Sequence, residues 1–219
     1  MQKLRVHNFA VSLDGYAAGP SQDHENPLGK GGMALHQWFF STQTFARMNG
    51  QEGAGQGIDN DFAARCTVNV GAWVLGRNMF GPVRGVWPDE SWKGWWGENP
   101  PFHAPVYVLT HHPRQSLPMQ GGTDFHFVTE GIEAALARAI EAAHGCDVIL
   151  GGGVSTIQQY LRARLIDEMH FVVVPVLLGC GEPLFNDVDL PRLGYEVSEH
   201  ASSDKVTHVV IRKRSALRT

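Results

Sequence analysis

The chain has 219 residues, 43% of them hydrophobic, with a formal net charge of -4. That is enough apolar material for a core, and too acidic a balance to draw the chain to nucleic acid or an anionic membrane by charge. No apolar run reaches the ~20 residues that cross a bilayer. Cys66, Cys146 and Cys180 lie too far apart for a disulfide framework or a zinc site, and the scattered histidines form no metal-binding spacing. The expectation is one domain over residues 1–219 that binds no metal and acts on a small molecule, with neither nucleic acid nor membrane as partner. Its first residues carry no charged-then-apolar leader, so the expected compartment is the cytoplasm.

Residues 4–12 read as a buried first strand, followed by a turn at Leu13, Asp14 and Gly15. A glycine-rich loop over 19–32 leads into 33–48, where Leu35, Trp38, Phe39 and Phe45 share a face at helical spacing. Residues 50–57 are rich in glycine, with no apolar anchor larger than Ala54, and read as a surface loop or lid. A short helix from near Ile58 runs into a strand at 72–76. The stretch 80–102 holds Trp87, Trp92, Trp95 and Trp96 among glycines and prolines and reads as a packed loop. Strands follow at 105–110 and 125–128. Thr129 then reads as the cap of a helix with Ile132, Leu136, Ile140 and Ala143 on one side, ended by Gly145. After a strand at 147–151, Ile157, Tyr160, Leu161 and Leu165 stripe the next helix. The apolar run 169–176 suits a strand covered on both faces. Residues 195–200 and 206–212 alternate around a polar turn as an antiparallel hairpin. Strands alternating with helices predict an α/β fold with a mainly parallel sheet, right-handed crossovers and an antiparallel edge.

The chemistry concentrates at two glycine-bearing strand ends. In the first, Gly151, Gly152 and Gly153 lead into Val154, Ser155 and Thr156, a helix start offering several N–H groups and two hydroxyls to an anion. It is no ordinary Rossmann fingerprint, because Thr156 stands where the third glycine belongs. In the second, Gly76 is followed by Arg77 and Asn78. An arginine in a helix's first turn opposes the helix dipole and invites a compensating anion, and its planar fork suits a phosphate monoester. Thr110, His111 and His112, ending the neighbouring strand, are candidate companions. A helix terminus contributes ~0.3–1 kcal/mol, whereas micromolar binding needs about 8 kcal/mol. Two such turns, an arginine and a stacked base together point to a nicotinamide nucleotide.

Other residues admit two readings. Asp14 either caps its turn with Gly15 or orients and protonates a substrate. Trp38 and Phe39 either line a pocket for a flat substrate or belong to the core. Ser155 sits in a partial nucleophile elbow that lacks its final glycine, the basis of a serine hydrolase alternative.

Taken in order, residues 11–19 (Val-Ser-Leu-Asp-Gly-Tyr-Ala-Ala-Gly), Val74-Leu75-Gly76-Arg77, Val106-Tyr107-Val108-Leu109-Thr110, Leu150-Gly151-Gly152-Gly153 and Val174-Pro175-Val176-Leu177-Leu178-Gly179 resemble the dihydrofolate reductase superfamily. Within it they resemble the branch containing the reductase domain of the riboflavin-biosynthesis deaminase/reductase, the RibD C-terminal domain. The resemblance implies a dihydrofolate reductase-like sheet flanked by helices, with NADPH lying across its carboxyl edge. Gly76, Arg77 and Asn78 would face the adenosine phosphate side, with Thr110 and His111 near the 2'-phosphate. Gly152 to Thr156 would hold the pyrophosphate, and Ala10 and Ala17 would flank the nicotinamide through backbone groups. Relatives of that branch are usually dimers, and the 169–176 run suits either a homodimer surface or a buried place in the sheet. One departure is informative: the stretch 33–48 carries no Asp or Glu, where a true dihydrofolate reductase has the carboxylate that helps protonate its pterin. The expected activity is therefore NADPH-dependent reduction of a small polar substrate of aminouracil type, as in riboflavin biosynthesis. Dihydrofolate reduction and non-catalytic NADP binding are the alternatives.

Overall fold

The computed structural model describes residues 1–214 apart from Ala54 and Val83, so the Ala54 named in the glycine-rich loop lies outside the described residues. In chain order the strands are β1 (Leu4–Ser12), β2 (Tyr16–Ala18), β3 (Val70–Gly76), β4 (Pro105–Leu109), β5 (Leu117–Pro118), β6 (Asp124–Val128), β7 (Asp147–Gly152), β8 (Glu168–Val174), β9 (Glu182–Pro183), β10 (Tyr195–Ser202) and β11 (Thr207–Lys213). The α-helices are α1 (Gln37–Phe40), α2 (Gln43–Met48), α3 (Ile58–Ala64), α4 (Arg77–Phe80), α5 (Ile132–Ala142) and α6 (Val154–Arg162).

Nine strands form one sheet in the order β10-β11-β8-β1-β7-β3-β4-β6-β5. The six inner strands, β8 to β6, run parallel, while β10 and β11 close one edge and β5 the other in antiparallel fashion. β2 and β9 pair separately, a small sheet the sequence pattern did not disclose. The inner strands are apolar because helices and loops cover them from both sides.

One face packs on α5 and α6, with Val74, Val148, Leu150, Leu136, Ile157 and Tyr160 in a shared core. The other face is covered in two halves. Leu35, Trp38 and Ala63 pack on Ala10, Val172 and Val174. Phe80 and the tryptophan-rich loop pack on Leu75, Val106, Val108 and Phe125. The gap between these halves lies over the sheet's centre.

Several expected elements resolve differently. The helix at 33–48 is three short pieces: a 3-10 turn at Gly32–His36, then α1, then α2 with Thr42 accepting from the Phe45 N–H as its cap. Thr129 does not cap α5. Its hydroxyl turns to Glu130, and Gly131, at a positive φ only glycine adopts freely, stands at the helix start. Ile140 points outward, leaving Ala135, Leu136 and Ala139 to make α5's buried face.

A β-bulge interrupts the β1–β8 register between Val6 and Phe9, with Asn8 at φ 56°. Its N–H donates to His170 Nδ1 (3.2 Å), His170 Nε2 lies 3.1 Å from His208 Nδ1, and His208 Nε2 lies 2.9 Å from Asp59 Oδ1. With Nδ1 of His170 accepting, its Nε2 carries the proton and gives it to His208, which in turn donates to Asp59. Both histidines are fully buried. Among the described residues no helix is long and apolar enough to cross a membrane.

Candidate cofactor and substrate cleft

Parallel strands leave their loops at one edge of the sheet, and ligands of open α/β folds collect outside the carboxyl ends. Here a cleft runs along the ends of β3, β4, β6 and β7 and continues over the sheet's centre. Its two compartments measure about 350 and 440 Å³ and meet at Asn78, Gly153, Val154 and Glu182.

The smaller compartment, called here the phosphate end, is polar. α6 opens there with Gly153 as an N-cap lacking any side-chain cap, and the first intrahelical bond is Ile157 N–H to Gly153 O (3.0 Å). The N–H groups of Val154, Ser155 and Thr156 therefore precede the helical ladder. Gly76 and Thr156 meet where β3 and β7 end side by side: a Cβ on Gly76 would collide with the Thr156 hydroxyl. That close approach explains why a glycine must close β3. A Cβ on Gly153 would meet nothing within 4 Å.

Arg77 reaches into the same compartment. Its guanidinium lies 3.1 Å over the Trp87 ring and donates through Nη1 to Thr110 Oγ1 at 3.2 Å. Its Nε and Nη2 are buried with no protein partner. Burial, then the nearby Arg114, push this guanidinium below its ordinary pKa, so the charge lacks the counter-ion that would stabilise it. Trp87 is fixed by its own Nε1–H bond to His112 O (2.9 Å). His111, His112, Thr129 and Arg84 complete this lining.

The larger compartment, the ring end, is apolar. Phe9, Trp73, Ile149 and Gly151 form its floor, Phe39 and Phe40 one wall, and Trp95, Trp96 and Phe102 the other. Ala10 and Ala17 lie along it. His7, Asn8 and His36 are its inner polar residues, and burial pushes His36 down to about 4 and also lowers His7. Glu182, on β9, borders both ends.

The structure brings most sequence-derived candidates together. Gly76, Arg77, Asn78, Thr110, His111, Gly153, Val154, Ser155 and Thr156 line the phosphate end. Ala10, Ala17, Phe39, Gly151 and Gly152 line the ring end. Two candidates fall outside. Trp38 is 2% exposed and packs edge-on against His208, so it belongs to the core. Asp14 borders neither compartment. Its carboxylate accepts from the Leu178 (3.2 Å) and Gly179 (2.7 Å) N–H groups and from the Ser12 hydroxyl, and these bonds hold it below the ordinary carboxylate range, first through Ser12. That geometry serves the turn reading. The Ser155 hydroxyl makes no hydrogen bond to a histidine among the described residues, so the nucleophile elbow lacks a base.

Glu182, His7, Asn8, His36 and Trp73 were not among the candidates. Glu182 follows a glycine-rich turn with no motif of its own, and His7 and Asn8 reach the cleft through a bulge that strand alternation does not foretell.

The fold is that of dihydrofolate reductase. A crystal structure from Shewanella sp. PV-4, assigned to riboflavin biosynthesis, superposes with TM-score 0.59 at 24% identity over 98% of this chain and 100% of that one. Dihydrofolate reductase from Enterococcus faecalis, complexed with NADP(H) and RAB-propyl, superposes with TM-score 0.52 at 14% identity over 97% of each chain. In sequence the chain is 34% identical to the uncharacterized protein YwjB of Bacillus subtilis (strain 168) over 139 residues, 63% of this chain and 68% of that protein. It is 46% identical to YyaP of the same organism over 44 residues, 20% of this chain and 23% of that protein. The family model for the RibD C-terminal domain matches residues 5–209. The chain therefore belongs to the RibD C-terminal domain family, a family of reductases on the dihydrofolate reductase fold.

Proposed function

We propose that the protein is an NADPH-dependent reductase, with the dinucleotide's phosphates at the phosphate end and its nicotinamide where the compartments meet. The observation that carries this reading is Arg77: its side chain lines the same compartment as the uncapped start of α6, its guanidinium is stacked on Trp87, and two of its nitrogens are buried without a partner. An arginine fork plus a neighbouring hydroxyl fits a phosphate monoester, and successive amides at a helix start fit a pyrophosphate. The residues present thus fit the cofactor. Arg77, Thr110 and His111 would hold the 2'-phosphate, Gly153 to Thr156 the pyrophosphate, and Ala10 and Ala17 the nicotinamide's edge. When bound, NADPH supplies a hydride to a C=N or C=O carbon, while the adjacent nitrogen or oxygen takes a proton from water.

The chain's own part is positioning and dryness. The Phe39 and Trp96 walls exclude water from the ring end, and the floor at Gly151 and Gly152 lets a ring approach the sheet. Among the residues lining the ring end, Glu182 alone carries a carboxylate, and it stands at the junction. The reading takes residues 1–219 as one reductase domain acting on a small molecule. Family membership makes an aminouracil of riboflavin biosynthesis one candidate substrate.

Isothermal titration with NADPH and NADH, before and after Arg77→Ala, tests the proposal. The variant should lose about 10- to 100-fold of NADPH affinity, the equivalent of one charge-assisted pairing, with NADH affinity little changed. Equal losses for both, or none, refute the assignment of Arg77.

A further inference from the structure

Strand β1 changes face part-way along. Leu4 and Val6 belong to the core that α5 and α6 cover, and so does Val11, an odd number of residues further on. Ala10 turns to the other face, where it packs with Leu35 and Trp38 and lines the ring end. Strict alternation from Leu4 and Val6 would send Ala10 into the α5–α6 core and Val11 toward the cleft. The bulge makes the exchange. Val6 pairs with Met169 and Phe9 with Phe171, so His7 and Asn8 together oppose His170 alone. Asn8 takes the left-handed conformation, at φ 56°, and both His7 and Asn8 line the ring end.

A side chain on the opposing strand answers this bulge. The Asn8 N–H donates to His170 Nδ1 (3.2 Å), His170 Nε2 donates to His208 Nδ1 (3.1 Å), and His208 Nε2 donates to Asp59 Oδ1 (2.9 Å). Each ring accepts at Nδ1 and donates at Nε2, so the carboxylate fixes both tautomers in the sense that presents a lone pair to Asn8. Phe62 stacks on both rings, 4.4 Å from His208 and 5.0 Å from His170, and Trp38 meets His208 edge-on. Neither ring can swing aside without opening this packing. An aliphatic residue at 170 would fill the space yet offer the bulge no acceptor.

We propose that His170 is a positioning residue for the cofactor's nicotinamide: oriented by His208 and Asp59, it fixes the bulge that puts Ala10, and not Val11, on the ring end. This rests on the reading of the cleft as a nucleotide-dependent reductase site, and adds the residue that sets the shape of its ring end. The single methyl of Ala10 leaves room for a flat ring beside the strand, where the branched side chain of a valine would stand in its way. His170 acts through β1 alone, for it is fully buried and lines neither compartment.

The test titrates the full chain at pH 7 with NADPH and with adenosine 2',5'-bisphosphate, which carries the phosphates of the adenosine side but no nicotinamide. His170→Leu should lower NADPH affinity about tenfold and leave the bisphosphate within about twofold, because only NADPH reaches the ring end. Ala10→Val should give the same selective loss. His170→Asn keeps an acceptor near the place of Nδ1 and should restore most of the NADPH affinity. In the ligand-free protein, hydrogen exchange at the Asn8 amide should quicken in His170→Leu and not in His170→Asn. Unchanged NADPH affinity in His170→Leu, an equal loss for both ligands, or no rescue by His170→Asn overturns the proposal. If His170→Leu fails to fold, Asp59→Ala, at the half-buried end of the chain of bonds, must give the selective loss in smaller measure, and its absence overturns the proposal. Failure of the parent protein to bind the bisphosphate refutes the nucleotide reading instead, and exchange at Asn8 then still accepts or rejects His170 as the anchor of the bulge.

Discussion

The phosphate end and the ring end share four residues yet are built on opposite principles. At the phosphate end, charge and amides face the opening: an arginine without its counter-ion, a helix start without its cap, and a strand closed by a glycine so that two chain ends can touch. At the ring end the walls are aromatic and burial lowers the pKa of the histidines. The lesson is that adjoining parts of one cleft draw different chemistry from different parts of the same sheet. Strand ends give backbone N–H groups, and strand middles give only side chains.

The largest expected effect probes where the ring end stops. Trp38→Ala should cost about 3–5 kcal/mol in chemical denaturation, as expected of a buried indole. Phe39→Ala, one residue on, should leave most of the stability and weaken ring binding instead. If Trp38→Ala leaves stability intact, the boundary between core and cleft is wrongly drawn.

Ser155→Asp should split stability from binding. The added carboxylate sits in the first turn of α6, where the helix dipole stabilises it by ~0.3–1 kcal/mol. It also confronts the pyrophosphate at short range, a repulsion of about 2–3 kcal/mol or roughly 100-fold in affinity. A melt and a titration on the same sample check both signs. If nucleotide affinity is unchanged, the phosphates are not at the start of α6.

The histidines give a pH signature. Burial holds His170 down to about 2 and His36 to about 4, with His208 also lowered. Unfolded histidines take protons near pH 6.5 while these stay neutral in the native state, so the unfolded chain binds more protons below that pH. Stability should hold level above about pH 6.5 and fall steadily as pH drops toward 4. Urea midpoints at pH 7, 6 and 5 measure this, and a flat profile would mean the histidines take up protons alike in the folded and unfolded chain. The smallest effect belongs to Asp14→Asn. It should lower thermal stability slightly while nucleotide and ring affinities stay unchanged, whereas a large loss of turnover would restore Asp14 to the chemistry.

The parts of the molecule that were legible in the sequence are those made by local chemistry. Glycine at a strand end followed by an arginine or by hydroxyl residues reads the same way in one dimension as in three, so Gly76, Arg77 and residues 151–156 were readable as the lining of one cleft. The sheet was readable because apolar, β-branched runs alternated with amphipathic ones. Legibility ended where a long-range contact decides. Trp38 and Phe39 are neighbours in a helix broken into pieces, and only packing sends one inward and the other to the cleft. Asp14 is committed to two amides 164 and 165 residues away. His7 and Asn8 reach the ring end through a bulge, and the partner of Arg77 is one tryptophan among several in an irregular loop.

That loop has a further consequence. The segment that seats Arg77, through Trp87, also carries Trp95 and Trp96 on the ring end's wall. One stretch of backbone therefore borders both compartments. Were occupancy at one end to shift this segment, reciprocity would require each guest to alter its neighbour's affinity by the same factor.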